Sequence, residues 1–150
     1  MCKPVLFWDS AALIRAVFKP ENDPYRQLMI WGEAGLLDMR VSRDVLRETQ
    51  HVLKRFGDDV LADFAAILDR ADFAVTADPS PDTISECSER TGYEPDARIV
   101  AAAHQCRAEF LLTYDATHLL GNPLIGPPDT NGRVVTPHEC LNILLARLKD

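Results

Sequence analysis

The sequence lacks any apolar run long enough to cross a membrane. Val5 to Trp8 is the only apolar run near the amino end, and Asp9 interrupts it at once, so it reads as neither signal peptide nor span. Cysteines are few and scattered: Cys2, Cys87, Cys106 and Cys140 form no C-x-x-C pair and match no histidine spacing. That sets aside a zinc site built with His104, His118 or His138. Reduced thiols are the expectation, with Cys106 and Cys140 packed on helices in a soluble, cytoplasmic chain. No P-loop or dinucleotide glycine pattern occurs, no nucleophile elbow and no Ser-His-Asp order. Internal repeats and low-complexity segments are absent as well. Excess positive charge is also missing: the formal net charge is −7, which excludes a chain that holds nucleic acid by bulk electrostatics.

What is present is ordinary globular material. Hydrophobic residues make up 47% and charged residues 26% of 150 positions, enough for one domain over 1–150 with a real core. Short apolar runs predict strands at Pro4–Trp8, Leu37–Val41, Phe73–Thr76, Phe110–Leu112 and Arg133–Thr136. Between them the spacing predicts helices. Ser10 is expected to cap one over 11–18; another runs 25–34 and is closed by Gly35. Ser42 caps a third over 43–56, with Val45, Leu46, Thr49, Val52, Leu53 and Phe56 as its apolar face. Asp58-Asp59 opens a fourth to Arg70, with Leu61, Phe64, Ala65 and Leu68 inward. A short helix is expected around 83–90, one opening at Pro95, and a last one from Pro137. Gly121 to Gly132 holds three prolines and reads as a surface loop. Strands alternating with helices predict an α/β fold: three layers, α/β/α, around a mostly parallel sheet of about five strands.

Four acids stand out in that frame. Asp9 and Asp115 follow strands, at the carboxyl edge where α/β sheets place ligands. Asp96 falls in the first turn of its helix, where the dipole favours a carboxylate. Glu48 lies three residues after Val45 and four before Val52, at the edge of an apolar face, and calls for compensation there. Each acid has a local role that needs no site: a polar stop, a dipole residue, a turn residue, and a surface glutamate beside Arg47, His51 or Lys54. Their joint placement at one edge is harder to assign to chance. Asp44, Asp58, Asp59, Asp63, Asp69 and Asp82 lack that support and are expected to be solvated.

Gathered carboxylates repel by about 1 kcal/mol in water and roughly 4 kcal/mol at an effective surface dielectric. Such a cluster must raise its pKa values or bind a cation. Oxygen-only ligands suit Mg²⁺ or Mn²⁺, which activate water and clamp phosphate oxygens. Phosphodiester hydrolysis uses that chemistry best. Ser10 and Thr113 are supporting candidates, Thr113 because it shares a strand side with Asp115 and is placed to orient the site. Metal-binding acids would also account for part of the negative charge, provided a basic strip lies beside them. Arg15, Lys19, Arg43, Arg47 and Arg98 are the nearest cations in sequence.

Four segments carry a resemblance to the PIN-domain family, in particular its VapC-like toxins: Phe7-Trp8-Asp9-Ser10, Ser42 to Glu48, Asp96 to Ala103, and Leu112-Thr113-Tyr114-Asp115. The resemblance implies an Mg²⁺ or Mn²⁺ site made by Asp9, Glu48, Asp96 and Asp115. It implies hydrolysis of RNA, a homodimer, and a cognate antitoxin protein; no membrane is involved. Arg15, Lys19, Arg47 and His118 are the candidate substrate contacts. Many relatives carry a further acid soon after the one matched by Asp115; here Ala116, Thr117 and His118 occupy that stretch, which bears on a second metal ion. The alternative is a catalytically inactive PIN-like module that holds RNA or a partner protein. A phosphatase of the haloacid-dehalogenase type needs a second aspartate at position 11, where Ala11 stands.

Overall fold

Four consecutive hydrophobic residues form β1 (Val5–Trp8), and Leu6, Phe7 and Trp8 are wholly buried. A strand covered on both faces has no use for alternation, so a continuous apolar run is its signature. β4 (Phe110–Leu112) is buried in the same way. β2 (Asp38–Val41) does alternate: Met39 and Val41 point into the core, while Asp38 and Arg40 are half-buried and bridge each other at 2.6 Å. With β3 (Ala74–Val75) and β5 (Arg133–Val135) these strands form one sheet in the order β3-β2-β1-β4-β5. Every pairing is parallel. The computed structural model describes residues 3–91, 94–115, 119–120 and 132–150, with the backbone alone at 90–91 and 94–95. Cys2, the stretch Ala116, Thr117 and His118, and most of the expected proline-rich loop lie outside the described residues.

Helices fill the connections: α1 (Ser10–Phe18), α2 (Tyr25–Glu33), α3 (Arg43–Leu53), α4 (Asp58–Arg70), α5 (Pro81–Thr91), α6 (Glu94–Gln105) and α7 (Pro137–Leu148). They complete the expected three-layer α/β/α arrangement. α1 packs on α3 and α4, α5 on α6, and α7 on β4, β5 and α2. α6 carries buried Ala97, Ala101, Ala102 and Ala103, whose small side chains let its backbone come close to what it packs on. Among the described residues no helix is long and apolar enough to cross a membrane. Cys87 and Cys140 are buried and Cys106 half-buried.

The strand order reverses direction at β1, which has β2 on one side and β4 on the other. Chains leaving the carboxyl ends of β1 and β4 therefore diverge to opposite sides and leave a crevice between them. That crevice is where Asp9 and Thr113 emerge.

Several expectations shift in detail. α1 begins one residue early: Asp9 is its N-cap and Ser10 its first helical residue. α3 ends at Leu53, and a tighter 3-10 turn over Lys54–Phe56 follows. The change of pitch turns Phe56 out of the apolar row. It is 57% exposed and meets Phe18 edge-on at 4.9 Å. Glu48 is exposed as well, because the buried row of α3 is Val45, Thr49 and Leu53, and a step of about 100° per residue carries position 48 outside it. The compensation anticipated for a carboxylate on the apolar edge is not called for. On α4, Phe64 is buried and Leu61 and Leu68 half-buried, but Ala65 is exposed. Asp44 is not simply solvated: it accepts from Arg98 Nε at 3.0 Å and lies 3.0 Å from Nη2 of the same guanidinium. Asp58, Asp59, Asp63, Asp69 and Asp82 are exposed as expected.

Candidate functional site

Asp9 belongs at once to the sheet and to the helix that follows. Its amide donates to the Leu112 carbonyl at 2.9 Å, extending the β1–β4 ladder by one residue. Its backbone is still extended, with φ −81° and ψ 159°, and its carbonyl accepts from Leu13 at 3.1 Å to start α1. The carboxylate is divided between two donors. Oδ1 accepts from the Ser10 amide at 2.8 Å, the ordinary duty of an aspartate N-cap. Oδ2 accepts from the Thr113 hydroxyl at 2.7 Å. Ser10, expected as the cap, thus supports Asp9 through its backbone.

Thr113 is fully buried one residue past β4 and joins the two strand ends. Its hydroxyl donates to Asp9 and accepts from the Asp115 amide at 3.0 Å, while its own amide donates to the Val135 carbonyl at 3.0 Å. One side chain therefore sets the place of an acid after β1 and of the chain leading to an acid after β4. The i, i+2 spacing of Thr113 and Asp115 made an orienting role legible. The link to Asp9, 104 positions away, needed the sheet.

Burial at 5% exposure pushes the Asp9 carboxyl above its ordinary range. The bonds from Thr113 and Ser10 pull the other way, and the negative charges of Glu48 and Asp115 push it further up. The charges of two of the expected acids thus bear on a third, Asp9. Glu48 stands on the exposed flank of α3, whose start is fixed by Ser42 Oγ accepting from the Val45 amide at 3.2 Å. Asp96 is 6% exposed in the first turn of α6. Among the described residues no three His, Cys, Asp or Glu side chains stand together as a finished metal cage. The donor set nonetheless suits a hard cation. It consists of carboxylates alone, and one of them is desolvated, with the charges of Glu48 and Asp115 adding to that.

The cations sort themselves differently from the sequence. Arg15 lies over the Tyr114 ring, its guanidinium carbon 3.8 Å from the ring centre. The Tyr114 hydroxyl accepts from Tyr25 at 2.7 Å, and burial with that bond raises the Tyr25 pKa. Lys19 is exposed at the end of α1. Arg43 faces Asp78 at 3.5 Å, and Arg98 is engaged by Asp44. Arg47 is exposed on α3 beside a cavity of about 390 Å³ between α3 and α4, with Gln50, His51 and Lys54 on one wall and Leu61 and Leu68 on the other. His118 lies outside the described residues. Sequence reasoning missed the Tyr25–Tyr114 pair and the Asp44–Arg98 brace. Their partners are 89 and 54 positions apart, and no local pattern announces them.

No family sequence model matches the chain, and no curated protein matches it by sequence. Solved structures do match. The crystal structure of PAE2754 from Pyrobaculum aerophilum superposes with a TM-score of 0.60 at 20% identity, over 98% of this chain and 99% of that one. A chain of VapBC2 from Rickettsia felis, solved bound to a DNA fragment from their promoter, superposes with a TM-score of 0.57 at 17% identity, over 73% of this chain and 86% of that one. At these identities the likeness is one of fold, and the fold is the PIN-like three-layer α/β/α arrangement anticipated from the four acid-bearing segments.

Proposed function

We propose that this chain, as a single domain, is a divalent-metal-dependent ribonuclease that hydrolyses RNA phosphodiester bonds and serves as the toxin of a toxin–antitoxin pair. The observation that carries the reading is Asp9: a desolvated carboxylate at the switch point of a parallel sheet, with the charges of Glu48 and Asp115 bearing on it. Asp9, Glu48, Asp96 and Asp115 would hold Mg²⁺ or Mn²⁺. The ion, when bound, would supply an activated water and a clamp on phosphate oxygens. The protein's own part is positioning: Thr113 and the Ser10 amide fix the Asp9 oxygens, and Ser42 fixes the helix that presents Glu48. The toxin assignment is supported by the fold shared with a chain of VapBC2, and it brings an antitoxin partner, a homodimer and a cytoplasmic setting with it.

The test is cleavage of single-stranded RNA with Mg²⁺ or Mn²⁺, compared with a chelated control. Asp9→Asn and Asp96→Asn are expected to abolish cleavage while leaving the circular dichroism spectrum intact. Cleavage by both variants at the wild-type rate refutes the assignment. A second reading, a catalytically silent module that holds RNA or a protein, is favoured by one observation: the described acids do not form a closed three-ligand cage. Calorimetric titration with Mn²⁺ separates the two readings, since the silent module binds no metal at millimolar concentration.

A further inference from the structure

We propose that Arg15, held over the Tyr114 ring, is a stacking platform for one nucleobase beside the acids; this rests on the RNA reading above. A distance of 3.8 Å from the guanidinium carbon to the ring centre is that of a cation resting on an aromatic face. The ring is itself anchored. The Tyr114 hydroxyl accepts from Tyr25 at 2.7 Å, and Tyr25 is 4% exposed at the start of α2. Arg15 from α1 and Tyr114 from the β4 exit thus form one stack, and Tyr25 from α2 holds the ring by its hydroxyl. Arg15 is its outer layer and is exposed to solvent. Among the described residues no carboxylate forms an ion pair with Arg15.

The position of the stack gives it meaning. Tyr114 stands between Thr113, which binds Asp9, and Asp115, whose charge acts on Asp9. Arg15 lies six residues along the helix that Asp9 caps. A base on this platform would belong to a nucleotide next to the phosphate held at the acids. Guanidinium planes and aromatic rings are the surfaces on which proteins splay single-stranded bases, and every base has a face to offer. A free arginine loses much rotamer freedom on binding. This one is fixed before any ligand arrives, so less is lost. The chain's net charge of −7 leaves little general attraction for RNA, and a preformed stacking contact is a way of holding RNA that does not depend on net charge.

Planarity separates stacking from charge. Lysine keeps the charge and lacks the plane. Binding is measured by fluorescence anisotropy with a labelled single-stranded RNA and with an abasic ribose–phosphate oligomer of equal length. Ca²⁺ replaces Mg²⁺ so that the strand stays intact, and salt is titrated. The wild type is expected to prefer the base-bearing strand by about tenfold. Arg15→Lys and Arg15→Ala should both lose that preference, while Arg15→Lys keeps its affinity for the abasic strand and its salt slope. An Arg15→Lys protein that retains the preference overturns the platform. So does a wild type that binds both strands equally. If the wild type binds neither strand, the RNA reading falls and the platform with it.

Discussion

Replacing Thr113 by valine removes one hydroxyl and leaves the shape nearly unchanged, which makes it a direct measure of what that hydroxyl does. The group donates to the Asp9 carboxylate at 2.7 Å and accepts from the Asp115 amide at 3.0 Å, inside a residue with no solvent exposure. A hydrogen bond to a charged group contributes about 1.5–3 kcal/mol, and an amide left without an acceptor costs about 1 kcal/mol more where water reaches it only partly. The added methyl returns about 0.8 kcal/mol of burial. The net expectation is a loss of about 2–3 kcal/mol near neutral pH, or roughly 4–12 °C in melting temperature for a chain of this size.

The loss should depend on pH. The folded-state pKa of Asp9 lies above its ordinary value of 3.8, chiefly through burial, and the Thr113 bond holds it lower than it would otherwise be. Without Thr113 it rises further. Below both values Asp9 is neutral in either protein and the charge-assisted part of the bond is gone. The penalty of Thr113→Val therefore grows as pH rises from the folded-state pKa of Asp9 in the wild type through the higher one in the variant. Urea unfolding across that range in EDTA measures it, with Thr113→Ser, which keeps the hydroxyl, as the control. A penalty under about 1 kcal/mol near neutral pH, or one that shrinks as pH rises, refutes the account of Thr113 as the group that supports an ionised Asp9.

Asp9→Asn should behave oppositely. A raised folded-state pKa means that ionising Asp9 costs the folded chain stability as pH rises from the ordinary 3.8 through the folded value; asparagine caps α1 equally well without that cost. Metal-free Asp9→Asn is expected to match or exceed the wild type in stability near neutral pH, and to lose any rise in melting temperature on adding millimolar Mn²⁺, both read from thermal melts. At Gly32, a Cβ would meet the Met39 Cγ at 3.0 Å and the Ala71 carbonyl at 3.1 Å. The methionine can move and the carbonyl cannot, so Gly32→Ala should destabilise by about 1–3 kcal/mol in urea despite alanine's better helix propensity. The Asp44–Arg98 brace has side chains 26% and 39% exposed. A double-mutant cycle should give a coupling of about 1 kcal/mol that fades in molar salt.

The sequence by itself determined the elements and the sheet edge. Buried parallel strands are read from continuous apolar runs, as β1 and β4 show, and α4 runs from Asp58 to Arg70 between its glycine and its last basic residue as expected. Strand–helix alternation then forces a parallel sheet, which puts Asp9 and Thr113 at one edge whatever the side chains do. Local chemistry settles such features because their causes lie within one turn or one strand.

Tertiary structure decided what two distant segments do to each other. Asp9 rather than Ser10 caps α1 because the Asp9 amide is already held by Leu112 on the neighbouring strand and its backbone stays extended. Glu48 is exposed because packing on α1 selects the Val45–Thr49–Leu53 row of α3, and Phe56 leaves that row because the helix tightens before it. Arg15 is laid on Tyr114, and Arg98 engaged by Asp44, only because the fold brings those chains together. Periodicity states which side of an element is apolar. Which charged group meets which, at 3 Å or across solvent, depends on distances that no single stretch of sequence contains.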